Sequence, residues 1–176
     1  MEINLRMSKT IYEELISHLL PKKPEAEEAA FVLVREVLDV EKLYLDHVES
    51  IKLEPSDFVF RSLYGIELKD EVRGSVIKRA HDLGASLVEF HSHPYPFPAE
   101  FSATDFAGLK EFVPHVRWRL KNKTYAAVVV APESIDGLVW TGGQTSAKRL
   151  DAILTEGSRV PSTGTSLKLW EFEYEQ

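Results

Sequence analysis

The sequence predicts a single domain of mixed α/β (α+β) class, helices interleaved with the strands of a mixed sheet. Three observations lead there. Amphipathic helical spacing appears over Ser8–Leu20, over Asp70–Leu83 and again from Ser102. Apolar runs of strand length, Ala29–Val34, Ala85–His93 and Thr124–Val130, are interleaved with those helices. The chain of 176 residues is long enough for one substantial core and short for two.

Each element follows from its own pattern. Ser8 is placed to cap the first helix, Ile11, Leu15, Ile16, Leu19 and Leu20 repeat on one face, and Pro21 ends it. The acids of Glu25-Ala26-Glu27-Glu28 read as a solvated entrance to the buried strand Ala29–Val34. Val40–Leu53 reads as one or two strands with a bulge near Asp46-His47, and Phe58-Val59-Phe60 as a further fragment. The helix Asp70–Leu83 carries Val72, Val76, Ile77, Ala80 and Leu83 on one face and closes at Gly84. Alternation over Ala85–His93 puts Leu87, Glu89, His91 and His93 on one side. Pro94, Pro96 and Pro98 stiffen the turn that follows, and Ser102 caps a helix with Phe106, Leu109, Phe112 and Val113 at helical spacing. Thr124–Val130 and Leu138-Val139-Trp140 read as strands around a turn at Asp136-Gly137. Gln144–Leu154 reads as a short helix, 157–165 as loop, and Leu169–Glu175 as an edge strand with an acidic outer face.

Composition narrows the functional classes. An apolar fraction of 44% and a charged fraction of 28% are those of an ordinary globular chain. The absence of cysteine removes disulfides, thiolate metal sites and cysteine nucleophiles together. A net charge of −7 argues against a nucleic-acid partner, although Arg117-Trp118-Arg119-Leu120-Lys121-Asn122-Lys123 is a local basic patch. The apolar runs are too short for a membrane span, and the start lacks a basic leader and apolar core. A cytoplasmic protein with no membrane partner is expected.

The chemistry concentrates between Glu89 and Asp105. His91 and His93 on one strand face, with a carboxylate arriving from the next helix, make a three-ligand metal site. Such imidazole and carboxylate donors suit zinc, and also manganese, nickel or iron. His18, His47, His81 and His115 show no ligand spacing to one another or to this stretch.

His91-Ser92-His93-Pro94, then Ser102-x-x-Asp105, resembles the signature of the JAB/MPN metallopeptidases, also called JAMM proteases. The common form has six residues between proline and serine; here Tyr95–Phe101 makes seven. The order of elements fits over a core of about 8–141, leaving 142–176 as a C-terminal extension of one domain spanning 1–176. The likeness is nearest to bacterial JAB proteins encoded beside E1-like, E2-like and ubiquitin-like partners, including the antiphage Bil systems.

The resemblance implies a cytidine-deaminase-like fold, its mixed sheet curved and flanked by helices, and one Zn2+ per chain, held by His91, His93 and Asp105. It implies a glutamate near the first buried strand as general base and acid. Glu27, with Ala30 at the small position, is favoured for that role over Glu28, with Glu89 third. Ser102 would donate to the oxyanion, although capping a helix uses the same hydroxyl. The expected activity is that of a zinc-dependent isopeptidase or peptidase, cleaving after the C-terminus of a ubiquitin-like protein to mature a precursor or reverse a conjugate. The substrate tail would lie extended, flanked by Val40–Leu53 and Leu68–Val72. The alternative is a non-catalytic MPN scaffold that binds a ubiquitin-like, E1-like or E2-like partner. A DNA-linked RadC-type role fits the acidic balance poorly, and a zinc deaminase lacks its cysteine ligands.

Overall fold

The computed structural model describes residues 1–175. In chain order the elements are β1 (Glu2–Arg6), α1 (Lys9–Leu19), β2 (Ala29–Asp39), β3 (Lys42–Lys52), β4 (Phe58–Ser62), β5 (Gly65–Leu68), α2 (Asp70–Leu83) and β6 (Ser86–Ser92). They continue with α3 (Ala103–Arg119), β7 (Tyr125–Ala131), β8 (Ser134–Trp140), β9 (Lys148–Arg149), β10 (Ala152–Thr155), β11 (Ser158–Pro161) and α4 (Thr165–Tyr174). Nine strands form one mixed sheet in the order β11-β10-β1-β3-β2-β6-β7-β8-β9, and β4–β5 is a separate two-stranded sheet. Ser162, just past β11 at one end, bridges Ile135 on β8 near the other, so the sheet curls into a half-barrel. No helix among the described residues is long and apolar enough to cross a membrane.

The strands at the centre are buried on both faces, which is why they read as continuous apolar runs rather than alternating ones. Phe31, Leu33, Leu87, Tyr125, Ala127 and Leu138 pack on one side with the residues of α2, α3 and α4. Their neighbours Val32, Val34, Val88, Phe90, Val128 and Val139 pack on the other with Leu15 and Leu19 of α1. Ser8 caps α1 by accepting from the Ile11 N–H at 3.2 Å. Gly84 closes α2 with a left-handed φ of 60°, as its position predicts.

Other expectations give way to tertiary context. The run ending at Val34 continues as β2 to Asp39, because only its first six residues enter the core and the rest form an exposed hairpin with β3. That hairpin carries the expected bulge, where Val48 has no partner between the Leu33–Glu49 and Val34–His47 pairs. Asp136-Gly137 is no turn: both residues lie inside β8, and the chain reverses at Pro132-Glu133 instead. Gly137 answers a close approach, since a Cβ there would stand 2.9 Å from Leu150 Cβ and 3.2 Å from the Ala127 carbonyl.

Gln144–Leu154 is not a helix; β9 pairs with β8 and β10 with β1. The stretch read as loop contains β11. Glu2–Arg6 and Gly65–Leu68 are strands without a sequence expectation. The supposed edge strand Leu169–Glu175 lies mostly in α4. Trp170 and Tyr174 are four apart as well as part of an apparent alternation with Phe172, and the helical period wins by placing them against the core while Phe172 stays exposed.

Candidate metal centre

Antiparallel pairing of β2 with β6 sets Ala29 opposite His91. The register continues past the strand, where the Ser92 N–H donates to the Glu28 carbonyl at 3.0 Å and the Glu28 N–H donates to Ser92 Oγ at 2.9 Å. The residue before Glu28 therefore turns towards the histidines. The parallel neighbour β7 holds the far end of β6, with the His93 N–H donating to the Val130 carbonyl at 2.8 Å. The proline turn then returns the chain to α3, whose first turn carries Asp105.

These elements gather three donors. His91 Nε2 and His93 Nε2 lie 3.2 Å apart, and Asp105 Oδ2 lies 3.4 Å from the first and 3.2 Å from the second. Donors about 2.1 Å from a tetrahedral ion stand about 3.4 Å from one another, so this triangle has the dimensions of one face of a zinc tetrahedron. Both histidines are buried and Asp105 is nearly so. Among the described residues no other group of three or more such side chains could hold a metal ion.

No model of a known protein family matches the chain, and no curated protein matches it. The chemistry of the site therefore rests on its own residues.

Of the three glutamates that compete as base, the structure brings Glu27 to the site. Its side chain is 2% exposed, Oε1 lies 3.8 Å from His93 Nε2, and Oε2 has no hydrogen-bond partner among the described residues. The solvated strand entrance expected of these acids does not form here. Glu28 pairs instead with Arg61 of β4. Glu89 is held by Arg73 of α2 at 3.2 and 3.3 Å and accepts from the Tyr125 hydroxyl at 2.6 Å.

The electrostatics separate the two carboxylates. Burial pushes Glu27 up to about 7; His91 works against that rise and Asp105 adds to it. Burial also opposes charge on Asp105, but His91, hydrogen bonds from both histidines and the Ser102 N–H hold it far below the usual carboxylate range. Burial disfavours the charged form of His91, and Asp105 together with Glu27 and Glu89 more than offsets it, so that pKa is raised.

Ser102 is the N-cap of α3. Its Oγ accepts from the Asp105 N–H at 3.1 Å, and Asp105 Oδ2 accepts from the Ser102 N–H at 2.7 Å. The competition expected between capping and oxyanion binding is absent, since the cap uses a hydroxyl lone pair and leaves the proton to donate. The sequence reading missed the rings that wall the site. Tyr95 stacks on His93 at 5.3 Å and on Tyr64 at 5.9 Å, and Phe101 lies against His91 at 5.6 Å. Tyr95 and Phe101 open and close the spacer, and aromatic residues there were its one available signal. A cavity of about 100 Å³ reaches His91 and Asp105 from between α2 and α3. The other histidines have ordinary structural contacts where these are resolved, His18 with the Ala29 carbonyl and His47 with Ser50.

Proposed function

We propose that the protein is a JAMM-type zinc hydrolase, a peptidase or isopeptidase acting after the C-terminus of a ubiquitin-like protein or its conjugate. The observation that carries the reading is the triangle of His91, His93 and Asp105 with the buried, unpartnered Glu27 oxygen beside it. The motif His91-Ser92-His93-Pro94 with Ser102-x-x-Asp105, and its likeness to bacterial JAB proteins of operons that also encode E1-like and E2-like partners, supports the choice of substrate. Bound zinc supplies Lewis acidity, acidifying water and polarising a carbonyl.

The chain's own groups do the rest. Glu27, whose proton affinity burial raises, accepts a proton at Oε2 and returns it to the leaving amine. Ser102 directs its free hydroxyl proton at the developing oxyanion, an interaction worth about 3 kcal/mol. Asp105 stays ionised as a ligand. An extended tail fits beside the β4–β5 sheet, whose Ser62 carbonyl already accepts the Glu27 N–H at 2.7 Å. Of the flanking stretches proposed for the tail, Val40–Leu53 is largely β3, which runs inside the large sheet between β1 and β2.

The test is zinc content and cleavage of a ubiquitin-like fusion by native protein, His91→Ala and Glu27→Gln. Native protein should carry one zinc and cleave, His91→Ala should lose both, and Glu27→Gln should keep the metal without cleaving. Full activity in Glu27→Gln sinks the base assignment. Native protein that is metal-free and cleaves nothing after zinc loading favours the scaffold reading.

A further inference from the structure

Asp136 is fully buried on β8, yet it lies outside the metal centre and accepts four hydrogen bonds. Its Oδ1 takes the Gly137 N–H at 2.9 Å, the Ser162 hydroxyl at 2.7 Å and the Gly164 N–H at 2.9 Å; its Oδ2 takes the Ser166 N–H at 2.7 Å. Gly164 is the N-cap of α4 and has no side chain to cap with, so Asp136 serves that helix from across the fold. The carboxylate thus collects residues 162–166 onto β8.

That collected segment reaches the proline turn. Ser166 Oγ, itself fully buried, accepts the Phe101 N–H at 3.0 Å, and the Thr163 hydroxyl donates to the Ala99 carbonyl at 3.0 Å. Ser134 of β8 accepts the Ala99 N–H at 2.7 Å. The second half of the spacer is therefore fastened through its backbone at Ala99 and Phe101, whereas Pro96, Phe97 and Pro98 bow outward exposed.

Two routes run from the fastened half to the metal donors. Phe101 packs its ring on His91, and the next residue is Ser102, tied to Asp105 through the reciprocal cap. We infer that the 162–166 segment, gathered on Asp136, acts together with Ser134 of β8 as a positioning device that sets Ser102 and Asp105 against His91 and His93, with Ser166 and Ser134 as the positioning residues. This rests on the metal-site reading above. It gives the extension beyond residue 141 a role in the site.

The experiment measures zinc affinity of the full chain by competition with a chelating dye, alongside the absorption spectrum of the cobalt-loaded protein. Ser166→Ala and Ser134→Ala remove the acceptors for Phe101 and Ala99 and should each weaken zinc by about tenfold, with an altered cobalt spectrum. Ser134→Thr keeps the hydroxyl and should restore both. Val139→Ala, in the core on the opposite face of the sheet, lowers stability without touching the device and should bind zinc as the native chain does. Native affinity and spectrum in both serine variants overturn the inference, as does equal weakening in Val139→Ala. If Ser166→Ala does not fold, Thr163→Val, which removes the segment's donor to the Ala99 carbonyl, decides in its place: weakened zinc is expected, and native affinity and spectrum overturn the inference. Native protein that takes up no zinc overturns the metal reading first, and the positioning role falls with it.

Discussion

Replacing Glu27 by Gln should stabilise the metal-free protein, and only above a defined pH. The Glu27 carboxyl, ordinarily near 4.5, is pushed up to about 7 by burial in the fold. The folded chain therefore keeps a proton that the unfolded chain releases between those values, so this group lowers stability progressively as pH rises from about 4.5 to about 7. The full difference of roughly 2.5 units corresponds to about 3 kcal/mol, present at pH 8 and nearly absent at pH 4. Gln has the shape of the protonated acid and nothing to ionise. In chelator, the melting temperature of Glu27→Gln should exceed that of native protein by roughly 6–12 °C at pH 8. The two should nearly coincide at pH 4. Comparing variant with native at each pH removes most of the contributions of Asp105 and His91. Zinc should shrink the difference at pH 8, because a cation beside Glu27 favours its ionised form. An equal advantage at both pH values, or a less stable variant at pH 8, refutes the reasoning.

Three further substitutions probe separate parts of the account. Ser102→Ala should lower kcat on a cleavable fusion about 100-fold and destabilise α3 by about 1 kcal/mol, separable by turnover and by urea denaturation. Glu28→Gln breaks the Arg61 pair and leaves Glu27 in place, so cleavage and its pH profile should match the native ones; loss of activity there would return Glu28 to contention as base. Gly137→Ala places a methyl 2.9 Å from Leu150 Cβ inside β8 and should cost about 1–3 kcal/mol in urea denaturation, which tests that the glycine serves packing.

The donor set was legible in the sequence because its geometry is local. A period of two puts His91 and His93 on one face, and a serine cap three residues before Asp105 fixes the start of α3. What escaped local reading depends on partners far along the chain. Glu89 shares the histidines' face, and only Arg73 on α2 and Tyr125 on β7 show that it is already engaged. Asp136-Gly137 has the composition of a turn, but Leu150 and the 162–166 segment converge on it and make it strand. The aromatic residues of α4 fit two periods, and their contacts with Phe106 and Trp140 decide between them.

The choice between Glu27 and Glu28 shows how register becomes chemistry. Neighbouring residues of an extended chain face opposite ways, so moving β2 by one position along β6 would send Glu28 towards His93 and Glu27 towards Arg61. Such a shift would also invert the burial of Ala29 through Val34, sending Phe31 and Leu33 out of one core and Val32 and Val34 out of the other. Those six residues are all fully buried, and the two faces differ in the volume they must fill. Packing of the strand thus selects which glutamate faces the histidines. The same burial that fixes the register also excludes water from Glu27 and raises its pKa, while Asp105, held by two imidazoles, remains ionised. Two carboxyl groups a few ångströms from the same histidine are thereby driven apart in proton affinity, one fit to ligate a cation and the other to exchange a proton near neutral pH.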